Sequence, residues 1–166
     1  MASVTLGGNP VTVEGTLPAP GDDAPAFSLF GSDFSPIESS DFAGRNLVIS
    51  IVPTVDTGVC SASVRAFNEK AAGLDDTVVL CVSADLPLSA ARFCGAEGID
   101  NVTMASTYRS PEFSTDYGVN LLDGKFAGLN ARAVVVVGPD GKVLHSELVS
   151  EIAEEPDYDA ALAALS

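Results

Sequence analysis

The chain has 166 residues, 46% of them apolar, which is enough for a folded domain with its own core and without disulfide staples. Its formal net charge of −15, from 8 Lys and Arg against 23 Asp and Glu, leaves no basic face to track phosphates and argues against nucleic acid or an anionic membrane as a partner. No apolar run approaches the roughly 18 residues of a membrane span, and the first residues lack the basic start and apolar stretch of a signal peptide. The expectation is one cytoplasmic domain over residues 1–166, whose three cysteines are either buried or chemically active rather than a structural framework.

Val4-Thr5-Leu6 and Val11-Thr12-Val13 flank Gly7-Gly8-Asn9-Pro10, which is a hairpin signal with turn residues in the middle. The Gly- and Pro-rich stretch 15–25 reads as an extended connection, 27–30 and 35–37 as short strands or turns, and 39–44 as a turn or short helix. From there strand and helix alternate: strand 46–52, helix 59–72 closed by Gly73, strand 77–83, helix 88–95 and strand 101–106. Such alternation predicts right-handed crossovers and a largely parallel sheet. Val134 to Val137, the turn Gly138-Pro139-Asp140-Gly141 and strand 143–149 predict a β-hairpin that adds antiparallel strands. Residues 156–165, with Tyr158, Ala161, Leu162 and Leu165 at helical spacing, predict a closing amphipathic helix. The sum is an α/β protein with a central mixed sheet flanked by helices and an N-terminal hairpin, and it looks like a thioredoxin-type core with decoration.

The most informative junction is Pro53 to Cys60. Proline ends the apolar strand 46–52, Asp56 or Thr57 can cap a helix, and Cys60 then falls in its first turn. Unpaired amide donors and the positive end of the helix dipole favour an anion there, so the thiolate is stabilised over the thiol. A free cysteine more often serves as a small buried apolar side chain. That reading suits Cys81, inside the strand-like run 77–83, but not Cys60, where Pro, Thr and Cys meet at one strand-to-helix junction.

The residues limit the chemistry. There is no C-x-x-C pair, and three cysteines with a single histidine match no common zinc spacing, so a metal site is not expected. A cysteine hydrolase needs a histidine base, and His145, the sole histidine, reads as a half-exposed strand residue. A thiolate without a base suits a substrate that needs only attack, and hydroperoxides fit: the sulfur becomes a sulfenic acid that a second thiol can condense with. Thr57 can cap the helix and also donate to a peroxide oxygen. Arg132, at the start of the 134–137 run, places a permanent fork of donors where a core strand would not otherwise hold a cation. Arg65 and Arg109 read as ordinary ion-pair residues. Cys94 lies near the end of helix 88–95, which Asp85 or Ser89 can start and Gly95 or Gly98 can stop. A helix end unwinds at low cost, which matters if two sulfurs are to meet.

Pro53-x3-Thr57-x2-Cys60, the stretch Asp56 to Arg65, the segment Ser83-Ala84-Asp85-Leu86-Pro87 through Arg92-Phe93-Cys94-Gly95, Gly128 to Val134 around Arg132, and Glu155-Pro156-Asp157-Tyr158 together resemble the bacterial thiol peroxidases, an atypical two-cysteine branch of the peroxiredoxins. The likeness runs from about residue 3 to the end. It implies Cys60 as peroxidatic cysteine, Cys94 as resolving cysteine in an intramolecular Cys60–Cys94 disulfide, Thr57 and Arg132 as groups that orient and activate the peroxide, and Pro53 as a shield for the thiolate. Cys81 would be an extra cysteine not needed for turnover, and Thr54 stands where relatives commonly have serine. The resemblance further implies hydrogen peroxide and alkyl or lipid-like hydroperoxides as substrates, thioredoxin as reductant, a homodimer, and no cofactor. Two other readings share these residues: a redox sensor or binding protein that uses the same disulfide as a switch, and a non-catalytic thioredoxin-fold module.

Overall fold

A computed structural model describes residues 2–165. In chain order it holds β1 (Ala2–Leu6), β2 (Asn9–Glu14), β3 (Ser28–Gly31), β4 (Pro36–Glu38), a 3-10 turn (Ser39–Phe42), β5 (Asn46–Ile51), α1 (Gly58–Ala71), β6 (Thr77–Ser83), α2 (Pro87–Glu97), β7 (Thr103–Ser106), α3 (Glu112–Asp116), β8 (Asn120–Leu121), β9 (Ala133–Val137), β10 (Val143–Leu148) and α4 (Tyr158–Ala163). Seven strands form the main sheet in the order β10-β9-β5-β6-β7-β3-β4, and β1-β2-β8 form a smaller one.

The sheet is mixed, as expected, but not largely parallel. Only β5 with β6 and β6 with β7 run parallel, whereas β10–β9, β9–β5, β7–β3 and β3–β4 are antiparallel. A parallel pair needs a crossover, and only α1 and α2 supply one. The strands β5 and β9 lie inside the sheet with a neighbour on each side, and they read as near-continuous Val, Ile and Leu buried on both faces. Their alternation still sorts two cores. Leu47, Ile49, Ile51, Ala133, Val135 and Val137 face the small sheet and α3, while Val48, Val134 and Val136 face the helices. On that second side α1 buries Cys60, Val64 and Phe67, a stripe at i, i+4 and i+7. Cys60 therefore sits at the top of a helix stripe that is packed against the sheet.

Several boundaries differ from the sequence reading for identifiable reasons. The helix α2 runs through Gly95 and stops at Gly98, whose φ of 66 provides the left-handed turn and whose N–H bonds the Cys94 carbonyl. Neither Asp85 nor Ser89 caps it: Leu86 is the N-cap, without a side-chain bond, and Pro87 occupies the first turn. The closing helix is shorter than 156–165, because Asp157 starts it by accepting from the Ala160 N–H at 3.0 Å. The short α3 and β8 were not anticipated; β8 completes the small sheet by pairing Val13 with Leu121.

Candidate active site

The chain leaves β5 at Ile51, the Val52 N–H still bonds the Val82 carbonyl at 3.0 Å, and Pro53 follows, buried. Thr57 has extended backbone and is the helix cap, accepting from the Cys60 N–H through Oγ1 at 3.2 Å. Asp56 does not cap. Because the Thr57 hydroxyl accepts in that bond, its own proton is free to be donated. Cys60, the third residue of α1, is fully buried.

Arg132 comes to Cys60 from the segment before β9. It is 2% exposed and is the one buried charged side chain among the described residues. Its Nη2 donates to Cys60 Sγ at 3.0 Å, its Nε donates to the Ile152 carbonyl at 2.9 Å, and its Nη1 has no partner. No carboxylate pairs with it among the described residues. A buried charge without a partner is costly, so the site has room for one negative charge, and the sulfur is the group placed to carry it.

The carbonyl that aims Arg132 is itself held from the other end of the chain. The Ile152 N–H donates to the Thr5 carbonyl at 2.8 Å, and the Thr5 N–H donates to Ser150 O at 2.8 Å. The Glu151 carboxylate accepts from the Ala153, Gly8 and Gly7 amides and from the Thr5 hydroxyl. Those bonds, the one from Ala153 first, hold its pKa down at about 2. The sequence reading gave the N-terminal hairpin and Glu151 no part near the site, since a contact between residues 5 and 150 leaves no local pattern.

Cys94 is the eighth residue of α2, half-buried, and packs against the apolar cluster that contains Cys60. Burial pushes its thiol above the ordinary value. Cys81, on β6, is buried in the same cluster; burial first, then its neighbours Cys60 and Cys94, push its thiol strongly upward. All three thiols are free. The structure thus gathers Pro53, Thr57, Cys60 and Arg132 at one end of the sheet, and leaves Cys94 on the neighbouring helix without a bond to Cys60. His145 lies on β10 with its Nε2 unpartnered and makes no bond to Cys60. Arg65 pairs with Glu97 across α1 and α2 at 3.5 Å, and Arg109 stacks over Phe30. Among the described residues no cluster of His, Cys, Asp or Glu gathers as a metal site, and no helix is long and apolar enough to cross a membrane. A cleft lined by Phe27, Phe42, Arg45, Leu47 and Tyr117 opens at the start of β5, the end of the sheet remote from Cys60.

A thioredoxin-like fold with one reduced cysteine at a helix start, in place of a C-x-x-C pair, defines a class: thiol oxidoreductases that attack a substrate with a single sulfur. The comparisons with known proteins narrow it. A family model described as Redoxin matches residues 19–162. The thiol peroxidases of Mycobacterium bovis and Mycobacterium tuberculosis are each 55% identical to the chain over 165 residues, covering 99% of it and 99% of theirs. The crystal structure of a peroxiredoxin-like protein from Aquifex aeolicus superposes with a TM-score of 0.93 at 38% identity, covering 99% of this chain and 96% of that one. A thiol peroxidase from Chromobacterium violaceum shares the fold, with a TM-score of 0.91 at 23% identity over 98% and 94% of the two chains. The chain belongs to the Redoxin family, as a peroxiredoxin-type thiol peroxidase.

Proposed function

We propose that Cys60 is the peroxidatic cysteine of a peroxidase acting on hydrogen peroxide and organic hydroperoxides, resolved by Cys94 in the same chain. The observation that carries this reading is Arg132: a buried guanidinium with one donor on Cys60 Sγ at 3.0 Å and a second left without a partner. The thiolate attacks one peroxide oxygen, the O–O bond breaks, and the other oxygen leaves as water or an alcohol once protonated. Charge develops on that leaving oxygen in the transition state. The spare Nη1 and the Thr57 hydroxyl are donors on the sulfur's own side of the site, and donors that are already in place stabilise developing charge without reorganisation. Pro53 closes the pocket against bulk water.

The sulfenic acid that results is then attacked by the Cys94 thiolate, giving a Cys60–Cys94 disulfide and releasing water. Cys60 is buried in α1 and Cys94 sits in the last turns of α2, so the two sulfurs meet through local unwinding. The helix α2 suits that role, because Pro87 and Ala90 are its only buried residues among those described. A dithiol of the thioredoxin type would then reduce the disulfide. The chain would act as one domain over residues 1–166, in the cytoplasm, as a homodimer.

Steady-state peroxide consumption with thioredoxin and its reductase tests the reading. Cys60→Ser abolishes turnover, and Cys94→Ser permits one oxidation and then blocks recycling. Full multiple turnover in either variant overturns it. Slow reaction of the wild-type thiol with peroxide, with a partner bound in only one redox state, would instead assign the same disulfide to sensing.

A further inference from the structure

The connection between β6 and α2 holds a carboxylate that neither caps the helix nor meets a cation. Asp85 is half-buried, and among the described residues it has no Lys, Arg or His within ion-pair distance. Both of its oxygens are turned back onto the loop before Cys60. Oδ1 accepts from the Thr54 hydroxyl at 2.6 Å, and Oδ2 accepts from the Val55 N–H at 2.8 Å and from the Ser83 hydroxyl at 2.8 Å. Thr54 Oγ1 in turn accepts from the Asp56 N–H at 3.2 Å. The Asp85 main chain is tied as well: its N–H donates to Ser83 Oγ at 3.2 Å and its carbonyl accepts from the Ser106 hydroxyl at the end of β7. One residue therefore joins the ends of β5, β6 and β7, immediately before Leu86 begins the helix that carries Cys94.

We propose that Asp85 is a positioning residue for the Cys60 reaction, fixing the 53–57 segment so that Thr57 and Cys60 face Arg132 in productive geometry, while anchoring the start of α2. This rests on the peroxidase reading of Cys60. The burial of Pro53 and Val55 holds that segment in place, but apolar contact is non-directional and sets no orientation. Charge-assisted hydrogen bonds are short and directional, and here they end two residues before the Thr57 cap. A misplacement of about 1 Å can cost 10²-fold in rate. With the N-terminus of α2 pinned by the same residue, the movement that brings Cys94 to Cys60 is confined to the C-terminal turns of that helix.

Asp85→Asn keeps the size of the side chain but removes the charge and turns one acceptor into a donor, so the bonds from the Thr54 hydroxyl and from the Val55 N–H cannot both keep their present direction, and neither remains charge-assisted. Thr54→Val removes the hydroxyl that donates to Asp85 and accepts from the Asp56 N–H, and leaves the carboxylate with its Val55 and Ser83 donors. Both are made in the Cys94→Ser background, where Cys60 reacts once, and thermal unfolding verifies that each folds. Two second-order rate constants of the reduced protein are compared. One is oxidation by cumene hydroperoxide, which depends on the orienting donors. The other is alkylation by iodoacetamide, which needs the sulfur anion but no oriented peroxide. The expected result is oxidation slowed by about 10- to 100-fold in Asp85→Asn, less in Thr54→Val, with alkylation unchanged in both. Unchanged oxidation in Asp85→Asn overturns the proposal. So does alkylation that accelerates as the unfolding temperature falls, because a loosened loop that exposes the buried sulfur is a structural role only. A parent Cys94→Ser protein that itself reacts slowly with peroxide overturns the peroxidase reading, and this proposal with it.

Discussion

Arg132→Met replaces the buried guanidinium by an apolar side chain of similar length and separates charge from packing. Arg132 makes one bond to Cys60 Sγ at 3.0 Å and keeps Nη1 in reserve, so two donors to charged or developing-charge oxygen and sulfur are lost. Hydrogen bonds to charged groups contribute about 1.5–3 kcal/mol each. Two of them amount to about 3–6 kcal/mol, and at about 1.4 kcal/mol per factor of ten the rate constant for Cys60 oxidation falls by about 10²–10⁴. Stability changes less than activity: the Ile152 carbonyl loses the Nε donor, but the cost of burying the guanidinium charge disappears with it. Arg132→Lys restores part of the rate, since an ammonium keeps the charge but lacks the fork that reaches both Ile152 O and the sulfur. Stopped-flow oxidation under single-turnover conditions, with thermal unfolding in parallel, reads both quantities. A folded Arg132→Met protein that reacts at the wild-type rate refutes the reasoning.

Cys81→Ala leaves peroxide turnover unchanged and lowers the unfolding temperature by a little, because a 1% exposed side chain in the apolar cluster is truncated; a large loss of turnover in the folded variant would assign Cys81 a redox part. The Cys94 thiol is held above its ordinary value by burial, and the thiolate is the attacking species, so disulfide formation accelerates as pH rises into the range where Cys94 ionises. Rapid quench with thiol counting across a pH series measures this, and a flat profile would show that the unwinding of α2, rather than the ionisation of Cys94, limits the step. Glu151 is depressed from 4.5 to about 2 in the folded chain, so its hydrogen bonds stabilise fully above about 4.5 and are lost as pH falls toward 2. The unfolding temperature of Glu151→Gln therefore depends less on pH across that window than that of the wild type; equal slopes contradict the anchoring role of Glu151.

Legibility followed the range of each signal. Pro53, Thr57 and Cys60 lie within eight residues, and a strand stop followed by a cap and a helix start are local properties that the sequence states outright. Asp85 was misread as a helix cap for the opposite reason: an acidic residue before a helix is a local cue, whereas its actual donors, Thr54 and Val55, lie 31 and 30 residues away. Gly95 and Gly98 present the same cue, and only the need for positive φ decides between them. The carbonyl of Ile152, which aims Arg132, depends on a pairing between Thr5 and residues 150–152 that no periodicity announces. The antiparallel insertion of β9 beside β5 is equally non-local, so the alternating pattern overstated how parallel the sheet is.

The central claim is that Cys60 meets peroxide and Cys94 resolves it. Reduced protein mixed with one equivalent of cumene hydroperoxide, followed for peroxide loss, thiol count and disulfide position, tests that claim most directly. The account predicts rapid peroxide loss, two thiols consumed, and one Cys60–Cys94 disulfide with Cys81 still free. Slow loss with all three thiols intact, or a disulfide that includes Cys81, would contradict it.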